Sequence, residues 1–394
     1  MKTALILGAG IYQVPLIRKA KEMGMRALVV SAAGNYPGFK LADKACHIDT
    51  TDVRSIVQLA RDENVDCICT TGTDAAVRAL GVVCDALELP GISENAGALA
   101  TNKREMKRRF ESAGVCTARF REVSSLEELR QAFDLFEKPV ICKAVDTSGS
   151  RGIIRVDAAD DLPHAFEYVM RATRQKDFLG EEFISGVEFG AQAAVIDGET
   201  QFVMPHGDIL YHGKTDVPIG HYVPYSLPDQ VKDLVWTQLD KSIRALGLTT
   251  CAINADFILR GDHMYVLEIG ARAGATCLPE LVSTHYEMDY YAYILELSLG
   301  SRPQAQFESR NPCGNLLITS KSGGSLDRVD VDGNGLEVIE TVIDYDHGET
   351  APAFRLGPDR LGHVVLKAAT EEKIMEDLKL LESRIHVKLL NGRS

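Results

Sequence analysis

The sequence predicts an α/β protein in three parts: a parallel sheet, a run of antiparallel strands, and a small α+β unit at the end. Three observations predict it. Residues 1–90 alternate short apolar runs with amphipathic stretches, the pattern of βαβ units. Apolar runs joined at Ser185-Gly186, Asp197-Gly198 and Gly261-Asp262 fill much of residues 178–274, the pattern of hairpins. From about residue 305 short runs and turn residues surround one late helical stretch, Glu371–Ser383.

Each element follows from its own pattern. TALILG (3–8) reads as a strand, and Tyr12–Met23 as a helix with Leu16, Ile17, Ala20 and Met23 on one face. RALVVS (26–31) and VDCICT (65–70) are strands; 53–63 and Asp74–Leu87 are helical. The result is a Rossmann-like β-α-β-α-β-α order with helices on both faces of the sheet. Asn102 and Glu105 have capping-box spacing at the start of a helix over 102–113, and Gly114 stops it. KPVICKAVDTSGSRGIIRV (138–156) is two strands around a loop of Gly, Ser and Thr, followed by a helix over Asp157–Arg174. Residues 205–227 read as a polar loop carrying His206, His212 and His221. Pro228–Leu246 has a helical apolar stripe ended by Gly247, with Trp236 expected in its core. CAINADFILRGDHMYVLEIG (251–270) is a hairpin.

Composition narrows the function. At about 150 residues per domain, 394 residues predict two to three domains. With 45% hydrophobic and 25% charged residues, disorder, collagen and a small disulfide scaffold are excluded. Lys and Arg number 43 against 56 Asp and Glu, a net charge of −13. That charge argues against duplex nucleic acid or an anionic membrane as partner. No stretch reaches about 18 uninterrupted apolar residues, and the start lacks a signal-cleavage pattern, so the expected location is cytoplasmic. The nine cysteines are odd in number and scattered. Cys67 and Cys69 lie in an apolar run and read as buried, reduced thiols.

Three features carry chemistry. The opening GAGIYQ has Gln13 in place of the third glycine of GxGxxG, and the second strand ends in Ser31 rather than an acidic residue. It reads as a tight strand-to-helix turn more than a dinucleotide site. The loop 147–152, Thr-Ser-Gly-Ser-Arg-Gly, lets backbone N–H groups approach a phosphate, and Lys143 on the preceding strand aims a cation there. Asp256 and Glu268 lie in facing apolar strands, where antiparallel pairing about Gly261-Asp262 sets them side by side. Two like charges there call for a cation, and hard oxygens suit Mg²⁺ shared with phosphates. Arg272, four residues on, is placed to hold a transferring phosphoryl group.

In order and spacing these motifs resemble the ATP-grasp superfamily over about residues 1–300. The resemblance implies a central two-subdomain ATP-grasp fold behind a Rossmann-like pre-ATP-grasp domain. The expected boundaries are 1–100, 101–304 (lid side 101–177, metal side 178–304) and a C-terminal domain, 305–394. It implies that Lys103 and Lys143 bind ATP phosphates under the loop containing Ser148, Gly149, Ser150 and Gly152. Glu181, Glu182, Phe183 and Ile184 would read adenine, and Glu188 the ribose. Asp256 and Glu268 would bind Mg²⁺, with Mn²⁺ the alternative ion. In Glu268-Ile269-Gly270-Ala271-Arg272 the family's usual Asn is Gly270; either one ion is lost or a ligand shifts to a group such as Asn254 or water.

MPHGD (204–208) and VPIGHYVP (217–224) are similar to the subgroup labelled phosphoribosylglycinamide or carbamoyl-phosphate synthetase-like, and to L-amino acid ligases. That likeness implies a carboxylate–amine ligase working through an acyl phosphate, with Lys143 and Arg272 as catalytic residues. His206, His221 and Arg272 become candidate substrate contacts. The alternatives are a ligase for a phosphorylated sugar amine, a carboxyphosphate-forming enzyme, a nucleotide-binding oxidoreductase and a non-catalytic ATP sensor. The expected partners are small-molecule carboxylates and amines, with a homodimer as the candidate assembly.

Overall fold

The computed structural model describes every residue except Ser148, Ser150, 213–215, Ser309 and 391–394. The chain opens with β1 (Thr3–Leu7), α1 (Val14–Glu22), β2 (Arg26–Ser31), β3 (Lys44–His47), α2 (Val53–Asp62), β4 (Cys67–Cys69) and α3 (Val77–Leu87). The four strands form a parallel sheet in the order β3-β2-β1-β4, as the βαβ pattern predicts, with β3 added at its edge. The turn after β1 is closed by Gln13. Its Oε1 accepts from Gly10 N at 2.9 Å, and its amide donates to the carbonyl of Thr71. A Cβ at Gly8 would lie 2.8 Å from that side chain. Gln13 thus packs against Gly8 and satisfies the backbone donor of Gly10 at this turn.

Next come α4 (Glu94–Ala100), α5 (Lys103–Ser112), β5 (Phe120–Val123), α6 (Leu126–Leu135), β6 (Val140–Ala144), β7 (Ile153–Val156), α7 (Leu162–Ala172) and β8 (Phe178–Glu182). The sheet here runs β5-β8-β6-β7. It packs on α6 and α7 through its own core, which includes Leu129, Phe133, Val140, Val169 and Phe178. β8 belongs to this lid-side sheet, so the expected division at 177/178 moves beyond Glu182.

The central sheet is built from β9 (Val187–Ile196), β10 (Glu199–His212), β11 (Asp216–Val223), β12 (Cys251–Arg260) and β13 (His263–Gly270), with α8 (Asp229–Leu246) on one side. The segment 205–227 is therefore mostly strand, a correction to the expected polar loop. Its glycines serve close packing. A Cβ at Gly207 would lie 2.2 Å from the Tyr222 ring, and one at Gly220 would lie 2.2 Å from the carbonyl of Asn315. After α9 (Leu278–Tyr286) and α10 (Tyr290–Ser298) come β14 (Cys313–Ile318), β15 (Gly324–Val331), β16 (Glu337–Ile343), β17 (Thr350–Ala351), β18 (Gly362–Lys367), α11 (Glu371–Glu382) and β19 (Ile385–Leu389).

The strands after 305 do not stand apart. The central sheet runs β13-β12-β9-β10-β11-β14-β18-β16, and only β17-β15-β19 form a sheet of their own. One apolar core joins the first sheet to the central one, with Leu5, Leu28, Phe189, Leu239, Ile253 and Ile269 in the same cluster. Each such side chain contributes about 1.5–3 kcal/mol when fully buried. Trp236, expected in the core, is 43% exposed. Its helix buries Val235, Leu239, Ile243 and Leu246 instead.

Candidate active site

Strand register sets up the site. In the central sheet Asp256 faces Glu268 on one side and Gly190 on the other; Gly190 faces His206, and Asp208 faces His221. Directly opposed residues share a sheet face. Glu268, Asp256, His206, Asp208 and His221 therefore line one face across five strands. The predicted pairing of Asp256 with Glu268 is the observed one.

The carboxylates on this face are in excess. Burial pushes the Asp256 carboxyl up to about 7, and Glu268, Asp208 and Glu188 push the same way while Arg272 opposes them. A crowded set of hard oxygens that resists ionising is the setting a divalent cation relieves, and the donor type fits Mg²⁺.

Two lysines approach from the lid side. Asn102 caps α5, its Oδ1 accepting from the N–H groups of Arg104 and Glu105 at 3.1 and 3.2 Å. The cap fixes Lys103 in the first turn. Lys103 Nζ donates to Glu268 Oε1 and to the carbonyl of Thr147, both at 2.7 Å, and so bridges the carboxylate site to the glycine-rich loop. Lys143 on β6 pairs with Glu181 Oε2 at 3.1 Å.

Glu181 is buried and also meets Lys107 at 3.3 Å. Burial alone would raise its carboxyl, but Lys107 and Lys143 together hold it below the usual carboxylate range. Its side chain thus anchors two cations. The neighbouring Glu182 is held by Arg119, whose Nε donates to it at 2.7 Å. Phe183 carries the Arg155 guanidinium over its ring at 4.9 Å, and Ile184 is core. Glu188 lies exposed near the start of β9, on the approach to Asp256. Lys107 escaped the sequence reading; its one-turn spacing from Lys103 on a single helix was the available signal.

In the glycine-rich loop, Thr147 Oγ1 donates to the carbonyl of Arg151 at 2.7 Å, and Ala144 N donates to the carbonyl of Gly152 at 2.9 Å. Gly149 and Gly152 both have φ of +67°. Ser148 and Ser150, expected phosphate contacts, lie outside the described residues. A Cβ at Gly152 would lie 2.8 Å from the Cβ atoms of Ala144 and Ala172, whereas one at Gly149 meets open space. Gly152→Val is therefore expected to weaken ATP binding and slow turnover together. Gly149→Val should cost less, chiefly the backbone strain of about 1–2 kcal/mol. ATP dissociation constants and kcat for the two variants check the ranking; equal effects would contradict it.

Four residues past Glu268, Arg272 donates through Nη2 to Asp74 Oδ2 at 2.7 Å and through Nη1 to the carbonyl of Ala273 at 3.2 Å. The Arg272 Nε is buried without a partner among the described residues. Asp74 comes from the loop after β4, held against the site because Gly72 N donates to the carbonyl of Ala273 at 3.0 Å. Nothing in the local sequence marked Asp74. Asn254, the proposed replacement ligand, is instead tied to Gln192, whose Nε2 donates to it at 2.6 Å; Gln192 Oε1 accepts from Gly274 N at 2.8 Å.

His206 and His221 are both buried, and each Nδ1 meets the same oxygen, Asp208 Oδ1, at 3.1 and 2.7 Å. The two imidazoles, His221 foremost, hold the Asp208 carboxyl well below its ordinary value despite burial. An ionised carboxylate only accepts, so each Nδ1 carries the proton. The His206 ring fills the space beside Gly190, where a Cβ would lie 2.4 Å from Nε2. That places His206 next to the Asp256 position, within the same site.

A family model described as an ATP-grasp domain matches residues 100–276. The solved structure of a phosphoribosylglycinamide synthetase from Anaerococcus prevotii is 32% identical, covers 98% of this chain and 99% of its own, and superposes with a TM-score of 0.83. The formate-dependent phosphoribosylglycinamide formyltransferase of a Synechococcus species is 28% identical over 298 residues, 72% of either chain. The alanine–anticapsin ligase of Bacillus subtilis is 25% identical over 254 residues, 58% of this chain and 53% of that protein.

Proposed function

Because the chain belongs to the ATP-grasp superfamily and is an ATP-dependent carbon–nitrogen ligase, we propose that it joins a small carboxylate to an amine through an acyl phosphate. The observation that carries this reading is the facing pair Asp256 and Glu268, with Lys103 and Arg272 at its edges and Lys143 behind. A carboxylate is a poor electrophile, and phosphorylation supplies its leaving group. In the first step a carboxylate oxygen bonds to the γ-phosphorus as the bond to ADP breaks. In the second the amine nitrogen bonds to the acyl carbon, the carbon–oxygen bond to phosphate breaks, and the nitrogen loses a proton.

The chain's own residues supply position and charge. Lys143 leaves Glu181 for the nucleotide phosphates, and Lys103 moves with the Thr147 loop over them. Arg272, held by Asp74, meets the charge that builds on the transferring phosphoryl group. Asp256 and Glu268 would hold Mg²⁺, which supplies further neutralisation of the phosphates.

A second observation bears on the amine. A small pocket of about 10 Å³, room for about one water, lies between the β1–α1 turn and the start of α9, lined in part by Tyr12, Glu280, Tyr291 and Arg360. Among the described lining residues Arg360 is the one permanent cation, and Asp344 already binds it at 2.9 Å. Glu280 adds a carboxylate whose Oε2 has no partner among the described residues. A sugar-phosphate amine, which the similarity to a phosphoribosylglycinamide synthetase suggests, would ask for surplus cations.

Phosphate release from ATP and Mg²⁺ with paired amino acids, and with ribose-5-phosphate amines plus glycine, tests the reading. Release with an amino-acid pair is expected; release only with the sugar phosphate would replace it. Within the same reading Glu188→Ala is expected to raise KM for ATP by about tenfold at constant kcat, because a ribose contact binds ground and transition states alike. A fall in kcat at constant KM would place Glu188 in the chemistry instead.

A further inference from the structure

Gly270 stands where the motif that places Glu268 would carry an asparagine, and the structure shows what occupies that space. Glu268 and Gly270 are two apart on β13 and so share a sheet face. A Cβ at Gly270 would lie 2.8 Å from Asp74 Oδ1 and 3.3 Å from Arg272 Cζ. An asparagine side chain and Asp74 cannot both be there. Asp74 Oδ2 is bound by Arg272, whereas Oδ1 is buried and has no hydrogen-bond partner among the described residues. A buried carboxylate oxygen left without a donor is costly, and this one lies on the face that carries Glu268 and Asp256.

We propose that Asp74 Oδ1, reaching in from the first sheet, supplies the third protein ligand of the divalent cation held by Asp256 and Glu268, in place of the asparagine that Gly270 removes. The inference rests on the reading that a metal sits between Asp256 and Glu268. Its consequence is that the site closes only when the N-terminal unit is docked. Three features hold Asp74 in place: Arg272 on its other oxygen, the bond from Gly72 N to the carbonyl of Ala273, and the parallel bridge between Thr71 and Ala273. A carboxylate that bridges an arginine and a metal ion keeps both its oxygens satisfied. It also adds a negative charge where an asparagine adds none, which strengthens the hold on Arg272.

Binding of Mn²⁺ in the presence of ADP, read from the loss of the free-ion EPR signal, tests this without turnover. Asp74→Ala is expected to weaken Mn²⁺ binding by at least about tenfold, while Asp74→Asn, which keeps an oxygen at the same place, stays within about threefold of wild type. The double variant Asp74→Ala/Gly270→Asn should restore binding, because the asparagine then has both the room and the reach. Mn²⁺ bound as tightly by Asp74→Ala as by wild type would overturn the assignment, as would a double variant no tighter than Asp74→Ala alone. Should Asp74→Ala melt below the assay temperature, Asp74→Ser, too short to reach the ion, carries the same comparison. A wild-type protein that binds no Mn²⁺ with ADP would remove the metal reading itself and this inference with it; normal wild-type binding with an indifferent Asp74 would remove this inference alone.

Discussion

Lys143→Ala is expected to lower kcat by about 10²–10³, equivalent to about 2.7–4 kcal/mol, the scale of removing one preorganised donor to developing charge. Lys143 sits on β6 with its ammonium beside Glu181, and burial, which disfavours its charge, is outweighed by Glu181, Glu268 and Glu188, so it stays cationic. In the proposed reaction this charge, held against a carboxylate at rest, passes to the ATP phosphates. Lys107 remains to pair with Glu181 in the variant, so the buried carboxylate is not abandoned and the lid sheet should keep its fold. Thermal melting and kcat together check this. Wild-type turnover by a folded Lys143→Ala protein would remove Lys143 from the chemistry.

Glu268→Ala should be at least as damaging, and through a different route. Glu268 faces Asp256, donates nothing, and accepts from Lys103 at 2.7 Å. Without it the proposed cation site would lose a ligand, and Lys103 loses its tether to the carboxylate face. Asp256, relieved of a repelling neighbour, should ionise at lower pH than its raised value of about 7, though burial still opposes it. The expected readout is a kcat down by about 10² or more with a rise in the Mg²⁺ concentration needed for half-maximal rate. An unchanged Mg²⁺ requirement would show that Glu268 serves Lys103 alone.

These two residues were legible in the sequence because local rules placed them. The Gly261-Asp262 turn makes the two strands antiparallel and brings Asp256 close to Glu268, but plain counting from it opposes Asp256 to Leu267; a one-residue register shift between Asp256 and Phe257 makes Glu268 the facing residue. Lys103 came from the resemblance to the ATP-grasp superfamily, which places a lysine at the start of the helix that Asn102 caps, and the parallel first sheet came from alternating apolar runs. The failures have physical reasons too. The part of β10 from Pro205 on, and all of β11, were hidden because Pro205, Gly207, Pro218 and Gly220 carry the signature of a loop. There the glycines admit the Tyr222 ring and the Asn315 carbonyl. Trp236 lies on a helix with a real apolar stripe but outside that stripe's buried side. Asp74 matters through Arg272, 198 residues away in the chain, and no local pattern reports such a contact. Gly270 was visible as a departure; only the fold shows that Asp74 and Arg272 fill its space.

The central claim, an acyl phosphate formed on the substrate carboxylate, is tested most directly by isotope transfer. The carboxylate found by the phosphate-release screen is labelled with ¹⁸O in both oxygens and turned over with ATP, Mg²⁺ and the amine, and the released phosphate is analysed by mass spectrometry. One ¹⁸O per phosphate is the expected result, since the oxygen that attacks the γ-phosphorus leaves with it when the carbon–nitrogen bond forms. Phosphate carrying no ¹⁸O, with amide made in equal amount, would contradict the account.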